Sequence, residues 1–361
     1  MSLAILGMLV LSPALLQDSA EETLPVIYGS DLLHPFDDPD DHFDLAAIYA
    51  MPELDLKGIV LDLGQSQEKR PGRIPVSQMN RITGRNIPAA TGLVQKLKSP
   101  ADTGLDQKPE SQGGVASILD ILRKSPVPVR MATVGSVRDL VAAYNREPDL
   151  VRSKVDRILI FIGEASHPTF REWNVELDPH AYVGLMRSGL PVWWVPCFDG
   201  GVWKNQGHAS FWKAKHEAVL KEAAPAVIQY FIYALEKEKS DPLEFIAQPV
   251  DPQRQARLFA MQRNFWCTAI FGVLSGRTIA FEGGRWISVP PKKGQLRAAP
   301  PANELFGFTE VEISITDNAI TRVGPGEGTK KVMLFEVKNR EKYAEGMTAA
   351  TAGLIAGLGK R

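Results

Sequence analysis

Apolar runs alternate with polar stretches that contain glycine and proline along most of the chain. Short apolar runs predict buried strands at residues 25–30, 56–61, 127–133, 157–165 and 191–196, and the segments between several of them have helical patterning. A strand, a helix and a second strand form a βαβ unit, whose crossover is nearly always right-handed. The pattern therefore predicts an α/β protein built on a mainly parallel sheet.

Five aspartates crowd the segment that follows the first predicted strand. Asp31, Asp37, Asp38, Asp40 and Asp41 fall within eleven residues. Like charges at close range repel, so the carboxylates either stay solvated in an acidic loop that caps the next helix, or a cation holds several of them together. Hard dications such as Ca²⁺ take oxygen ligands of this kind. In open parallel sheets, ligands bind beyond the carboxyl ends of strands, which is where these aspartates are expected.

The stretch at residues 26–63 resembles the N-terminal signature of the inosine-uridine-preferring nucleoside hydrolases. That signature is a strand ending in an aspartate, a short loop and an Asp-Asp pair that opens a helix. Asp31 matches the first aspartate, and Asp40 and Asp41 match the pair. The loop between Asp31 and Asp40 is longer than is usual in the family. The resemblance implies a Rossmann-like, doubly wound sheet flanked by helices, formed by a single domain over residues 21–361.

Three later places extend the resemblance. Glu172 and Asn174 match a Glu-aromatic-Asn motif that implies hydrogen bonds to ribose hydroxyls, with Trp173 packed between them. The residues that follow also predict a helix start, with Asp178 as the N-cap and Pro179 as the first helical residue, and the two interpretations can hold together. The turn after the strand at residues 127–133 is similar to a family turn whose backbone carbonyl binds the metal, which here implies the carbonyl of Val134. Gln65 stands near the position of a family asparagine that reaches substrate, although a plain loop amide is the alternative interpretation.

The activity that the resemblance implies is metal-dependent hydrolysis of the N-glycosidic bond of ribonucleosides. Such a reaction needs a stabilised oxocarbenium-like sugar, an activated water and a leaving base that accepts a proton. By the resemblance, Asp41 is a ligand of a Ca²⁺ ion, and Asp31 is a ligand or the general base that deprotonates the water. Asp40 would accept a hydrogen bond from a ribose hydroxyl. The substrate would be a small nucleoside or ribosyl compound.

One part of the family pattern is missing from the C-terminal half. The family has a His-Asp pair before an apolar helix, and Asn264 and Phe265 occupy the nearest positions here. Asp37, Asp38 or Asp199 are the candidates to supply the missing carboxylate. Two other functions stay open. The absence is consistent with a catalytically impaired homologue that binds ribosyl compounds or nucleosides. Paired aspartates also serve in metal-dependent phosphoester hydrolases, which is the other alternative.

The histidines and cysteines supply the remaining candidates. His167, His180 and His208 are candidates for the acid. The two cysteines, Cys197 and Cys267, lie in apolar contexts that predict buried thiols and not a disulfide framework. The sequence does not predict which base is released.

The composition and the N-terminal residues limit which classes of protein this sequence can encode. The chain has 361 residues, 44% of them hydrophobic, and a formal net charge of −1, which suits a globular fold and shows no basic footprint for nucleic acid. Residues 1–20 form an apolar run typical of a signal peptide, although a basic n-region is missing; a misplaced start codon or a buried N-terminal helix is the alternative. We therefore expect a secreted or periplasmic protein, otherwise a cytoplasmic one, with no membrane span in the mature chain. The family resemblance also implies a homo-oligomer.

Overall fold

Strands and helices alternate through the computed structural model of the chain, which describes residues 22–35, 39–63, 68–298, 302–326 and 329–360. The strands are β1 (Leu24–Ser30), β2 (Leu54–Leu61), β3 (Ala89–Thr91), β4 (Val129–Val134), β5 (Val155–Phe161), β6 (Val192–Val195), β7 (Trp212–Lys215), β8 (Gln262–Phe265), β9 (Thr278–Glu282), β10 (Arg285–Val289), β11 (Phe306–Ile315), β12 (Thr321–Val323) and β13 (Lys330–Val337). The helices are α1 (Asp40–Tyr49), α2 (Arg73–Thr83), α3 (Gly113–Lys124), α4 (Arg138–Arg146), α5 (Pro148–Lys154), α6 (Trp173–Leu177), α7 (Pro179–Arg187), α8 (His216–Leu220), α9 (Pro225–Leu235), α10 (Pro242–Ile246), α11 (Pro252–Ala260) and α12 (Arg340–Ala356). Two 3₁₀ helices lie at Pro109–Ser111 and Thr268–Leu274.

A nine-stranded sheet forms the centre of the fold, in the order β12-β11-β13-β6-β5-β4-β1-β2-β3. The strands from β13 to β3 pair in parallel, whereas β11 pairs antiparallel with both β12 and β13 at one edge. Strands β7 with β8, and β9 with β10, form two small antiparallel pairs outside this sheet. The predicted α/β class with a mainly parallel sheet is confirmed.

Apolar side chains cover both faces of the sheet, as parallel sheets require. Alternate residues of β1 divide between two buried clusters: Val26 and Tyr28 join one, and Ile27 joins the other. Helices α1, α2, α9 and α12 contribute to the first cluster, and α3, α4 and α7 contribute to the second. Because helices cover each face, the sheet is doubly wound. Loops follow the carboxyl ends of its parallel strands, and we call this side of the sheet its carboxyl edge.

Local sequence explains where the helices nearest that edge begin. Asp40 and Asp41 occupy the first turn of α1, where their negative charge interacts favourably with the helix dipole. Asp178 caps α7 by accepting a hydrogen bond from the backbone N–H of Ala181, and Pro179 is the first helical residue. The helix start predicted by the Asp-Pro sequence is therefore confirmed.

Several sequence predictions fall outside the described residues. These are the signal peptide at residues 1–20, the substrate contact of Gln65, and the replacement of a metal carboxylate by Asp37 or Asp38. In the part of the chain that the structure describes, no helix combines the length and apolar character that crossing a bilayer requires.

Candidate active site

The ends of four neighbouring parallel strands open into one cavity of about 440 Å³. Strand β1 leads directly to Asp31, β4 ends at Val134, β5 ends at Phe161, and β6 is followed by Cys197. We call this cavity the acidic pocket. Its described lining residues are Asp31, Leu33, Asp40, Asp41, Asp44, Val134, Gly135, Phe161, Glu172, Trp173, Asn174, Cys197, Phe198, Trp203, Trp266 and Cys267.

Six of the seven residues predicted for the site line the acidic pocket, and the seventh, Gln65, lies outside the described residues. The six reach the pocket from three parts of the chain that are distant in sequence. Asp31, Asp40 and Asp41 come from the end of β1 and the start of α1, Val134 comes from the end of β4, and Glu172 and Asn174 come from the start of α6. The roles that the resemblance assigns to these residues stay predictions.

Asp31 packs against the turn that follows β4. Gly135 has a φ of 93°, and a Cβ atom at this position would come within 2.8 Å of the Asp31 Cβ atom. Any larger residue would therefore need both a rare backbone conformation and space that Asp31 occupies. The glycine allows the backbone next to Val134 to approach the Asp31 carboxyl group closely.

Helix α1 contributes a third carboxylate that the sequence analysis missed. Asp44 is buried and lies three and four residues after Asp41 and Asp40, so all three fall on one face of the helix. Its Oδ1 atom accepts a hydrogen bond from the backbone N–H of Thr268 at 3.0 Å, and its neighbour Cys267 also lines the pocket. The helical spacing was visible in the sequence and could have drawn attention to Asp44.

Glu172 and Asn174 are held in place by the backbone around them. The two carboxylate oxygens of Glu172 accept hydrogen bonds from the backbone N–H groups of Asn174, at 2.9 Å, and Gly163, at 2.8 Å. The Asn174 side-chain amide donates to the carbonyl of Phe161 at 3.1 Å. The expectation that Trp173 packs between them is wrong, because its side chain is 65% exposed at the pocket wall. Trp173 is the first residue of α6 and is largely exposed, whereas hydrogen bonds to the backbone hold its two neighbours.

Burial dominates the electrostatics of the acidic pocket. Burial, and next the charge of Asp62, raise the pKa of Asp31 to about 7. Burial likewise raises the pKa of Asp44 to about 7, and it raises that of Glu172 to about 7 although backbone hydrogen bonds oppose the shift. Carboxyl groups in these positions repel one another when ionised, so a positive charge bound among them would be strongly favoured.

Asp62, which the sequence analysis also missed, supports the turn beside Asp31. It follows β2 directly, is buried, and accepts hydrogen bonds from the backbone N–H and the hydroxyl of Ser136 at 2.7 and 2.9 Å. The Arg138 guanidinium lies 3.9 Å from its carboxylate. The sequence signal that could have identified Asp62 was its position immediately after a predicted strand.

Other sequence candidates lie away from the pocket lining. Asp199 is buried, but its carboxylate accepts hydrogen bonds from the Ser166 hydroxyl at 2.7 Å and the His208 backbone N–H at 3.0 Å, and it does not line the cavity. Phe265 is buried in the core beside Trp212. The prediction that both cysteines are buried free thiols is confirmed.

The donors fit a hard dication in their chemistry. Carboxylate and carbonyl oxygens are the ligands that Ca²⁺ prefers, and five carboxyl side chains are among the described residues that line the pocket. Buried carboxyls with raised pKa values lack a counter-charge that such an ion would supply. Within the described ranges, however, no three acidic, histidine or cysteine side chains already converge closely enough to hold a metal ion.

The fold and the acidic pocket define a class of α/β protein with carboxylates gathered at the carboxyl edge of a parallel sheet. Residues 36–352 match the family described as inosine-uridine preferring nucleoside hydrolase. Because this match covers most of the chain, the protein belongs to that family.

Similar proteins agree with this membership. A pyrimidine-specific ribonucleoside hydrolase of Citrobacter koseri is 30% identical over 189 residues, which cover 47% of this chain and 58% of the relative. The match thus spans little more than half of that relative's length. One from Escherichia coli is 25% identical over 249 residues, covering 63% of this chain and 77% of the relative. The crystal structure of an inosine-uridine preferring nucleoside hydrolase from Bacillus anthracis covers 92% of this chain and 100% of its own, with a TM-score of 0.50 and 11% identity, which supports the fold.

Proposed function

We propose that this protein hydrolyses the N-glycosidic bond of ribonucleosides, releasing the free base and ribose, with Ca²⁺ as its metal. The observation that carries the proposal is the acidic pocket itself. It gathers carboxylates from the ends of β1, α1 and the β5–α6 connection into one cavity of about 440 Å³, which suits a small ligand. Family membership supports the same reaction class.

In this proposal, residues of the pocket act on the attacking water and on the substrate. Asp31 takes the proton from the attacking water, and Asp40 accepts a hydrogen bond from a ribose hydroxyl. Glu172 and Asn174 bind the sugar from the other side, and Gln65 makes a further substrate contact. Glu172 can do so although both of its oxygens accept backbone hydrogen bonds, because each carboxylate oxygen has a second lone pair. The backbone bonds hold Glu172 in one orientation before the substrate arrives.

The metal would be held by Asp31, Asp41 and the backbone carbonyl of Val134. Oxygen donors favour Ca²⁺ over softer ions, and the close approach that Gly135 permits supports a role for the carbonyl next to it. When bound, the ion would supply positive charge that orients the sugar hydroxyls and the water.

Ribose release tests the proposal directly. We expect the purified protein to liberate free ribose from inosine or uridine, and we expect a chelator or Asp41→Ala to abolish this release while added Ca²⁺ restores the chelated wild type. Asp120→Ala, at an exposed position of α3, is the matched control and should retain full activity. If no ribonucleoside releases ribose in the presence of Ca²⁺, the proposed reaction is wrong.

A catalytically impaired homologue that binds nucleosides or ribosyl compounds is the second candidate. It is favoured by Phe265, which is buried in the core where the family's His-Asp pair is expected and offers no ligand atom. Such a protein would gain thermal stability with nucleoside or ribose but would turn none over. Wild-type ribose release would exclude it.

We also propose export from the cytoplasm and homo-oligomerisation. Export rests on the apolar composition of residues 1–20, and oligomerisation rests on family resemblance. Sequencing the N-terminus of the protein recovered from fractionated cells tests the first. Light scattering of the purified protein tests the second, since a mass equal to one chain would contradict it.

A further inference from the structure

One wall of the acidic pocket is built from aromatic rings. Phe198, Trp203 and Trp266 all line it. The Trp203 ring centroid lies 5.2 Å from that of Phe198 and 5.9 Å from that of Trp266. Trp203 is 55% exposed, so part of its ring remains open to a ligand. Trp173, 65% exposed, lines the same pocket from α6.

The charged side chains in the described lining of the acidic pocket are all acidic. Five carboxyl side chains line it, and no lysine, arginine or histidine is among the lining residues that the structure describes. The segments at residues 36–38 and 64–67, which lie outside the described residues, contain no basic residue either. Even with one dication bound, carboxylates would outnumber the positive charges. A cation on the substrate is therefore attracted both by the field and by the faces of the tryptophan rings.

The described lining of the acidic pocket contains no imidazole that could protonate a leaving base. His167 accepts backbone hydrogen bonds from Phe170 and Thr169 through Nδ1, and His208 Nδ1 is bonded to the carbonyl of Phe335. Neither these two nor His180 is among the described lining residues. A neutral nucleobase usually needs a proton as it departs, and no histidine of the described lining supplies one.

A substrate whose leaving group is already positively charged fits both the acidic, aromatic pocket and the lack of an imidazole in its described lining. We propose that the preferred substrates of this pocket are N-ribosides with a fixed positive charge on the glycosidic nitrogen, of the N-ribosylpyridinium class. This inference rests on the proposed function, because it concerns the same pocket and the same bond.

The reaction balances without a leaving-group acid. The bond from C1′ to the ring nitrogen breaks, and its electron pair goes to the nitrogen, which becomes neutral. The water oxygen forms the new bond to C1′, and one water proton passes to Asp31 and then to solvent. The products are a neutral pyridine, ribose and one proton.

Parallel kinetics with three substrates test the inference. The Ca²⁺-loaded wild type is assayed with N-ribosylnicotinamide, with uridine and with inosine. We expect kcat/KM for the pyridinium riboside to exceed both others by at least about tenfold. Equal or faster hydrolysis of uridine or inosine would overturn the inference and leave the proposed function standing. If none of the three is hydrolysed, both fail. The uncharged 1,4-dihydro form of the pyridinium riboside is the matched control for charge and should be a poor substrate.

A variant of the aromatic wall tests whether the rings recognise the charge. Trp203→Leu should lower kcat/KM for the pyridinium riboside by about three- to thirtyfold, and that for uridine less, because a cation–π contact is lost. Trp203→Phe should retain an intermediate preference. Phe281→Leu, an exposed aromatic on β9 that does not line the pocket, is the control for a surface aromatic substitution. A Trp203→Leu variant with an unchanged substrate ratio would contradict recognition through the ring.

Discussion

The carboxylate of Asp44 accepts a hydrogen bond from the backbone N–H of Thr268 at 3.0 Å, across a separation of 224 residues. This contact ties α1 to the segment that follows β8. It brings Cys267 against Asp44, and both residues line the acidic pocket. Asp44 of α1 therefore supplies a carboxylate to the region in which the family's aspartate is missing.

The first prediction is that Asp44 takes part in binding the proposed metal. Asp44→Ala should weaken Ca²⁺ binding by about tenfold or more, measured by calorimetric titration, since a carboxylate near the ion is lost. Cys267→Asp added to Asp44→Ala should restore much of the affinity, because the new carboxylate would lie where the thiol now meets Asp44. Asp120→Ala should bind as the wild type does. Unchanged Ca²⁺ affinity in Asp44→Ala would contradict this role.

The second prediction concerns Glu164, which joins the loops after β5 and β6. Its buried carboxylate accepts backbone hydrogen bonds from Ser166, His167 and Gly200 at 2.8 Å each and from Gly201 at 2.9 Å. Burial acts to raise its pKa, but these hydrogen bonds outweigh burial and lower it. Glu164→Gln should reduce the free energy of unfolding by about 1–3 kcal/mol at pH 7.

The pH dependence of the unfolding free energy provides a control for the prediction on Glu164. A lowered pKa means that the stabilising contribution of Glu164 is present above the pKa of the unfolded chain and is lost as pH falls through the folded value. The difference between wild type and Glu164→Gln in urea unfolding should therefore shrink below about pH 4.5. Glu222→Gln, at an exposed position, should have no comparable effect. If the difference in unfolding free energy between the two proteins grows toward acid pH, the stabilising role of the ionised Glu164 is wrong.

The third prediction concerns Arg138, whose side chain is almost completely buried. Its guanidinium donates to the Asp178 carboxylate at 2.8 Å, and to the carbonyls of Leu63, Leu93 and Leu177 at 2.8, 2.8 and 2.9 Å. Arg138→Met leaves the buried carboxylate of Asp178 without its cation and should cost about 3–5 kcal/mol of unfolding free energy. Arg152→Met, on an exposed helix surface, should cost less than about 1 kcal/mol. Equal losses in the two variants would refute this prediction.

The fourth prediction is a pH-dependent stabilisation by Asp139→Asn. Burial, and next the charge of Asp62, raise the pKa of Asp139 to about 7, and its Oδ2 atom has no hydrogen-bond partner in the described part of the chain. A raised pKa favours the folded state below the unfolded pKa, and this contribution is lost as pH rises through about 7. Relative to wild type, Asp139→Asn should therefore gain up to about 1.4 kcal/mol per pH unit between about pH 4 and pH 7.

Urea unfolding at pH 5 and at pH 8 measures this effect. The variant also exchanges a carboxylate oxygen for an amide nitrogen in a tight site, which changes its stability by an amount that does not depend on pH. Only the change between the two pH values reports the titration of Asp139. A constant offset at both pH values would show that Asp139 is ionised in the folded protein.

Apolar runs predicted the strands well because their burial on both faces of a parallel sheet leaves a strong local pattern. The run at residues 56–61 became β2 (Leu54–Leu61), and the run at residues 127–133 became β4 (Val129–Val134). Asp178 and Pro179 likewise predicted the start of α7, since a helix cap depends on neighbouring residues alone. By contrast, Glu164 showed no local signal, because its four backbone partners come from two loops that only the sheet brings together.

The sequence by itself determined that strands alternate with helices and that aspartates follow the first strand, because periodicity and residue type are local properties. It also carried enough of the family signature to indicate the reaction class. Only the tertiary structure decided which acidic groups share one cavity, because strand order and crossover direction set which strand ends become neighbours. The meeting of Asp44 with Thr268, and the aromatic wall around Trp203, follow from that order and not from any spacing along the chain.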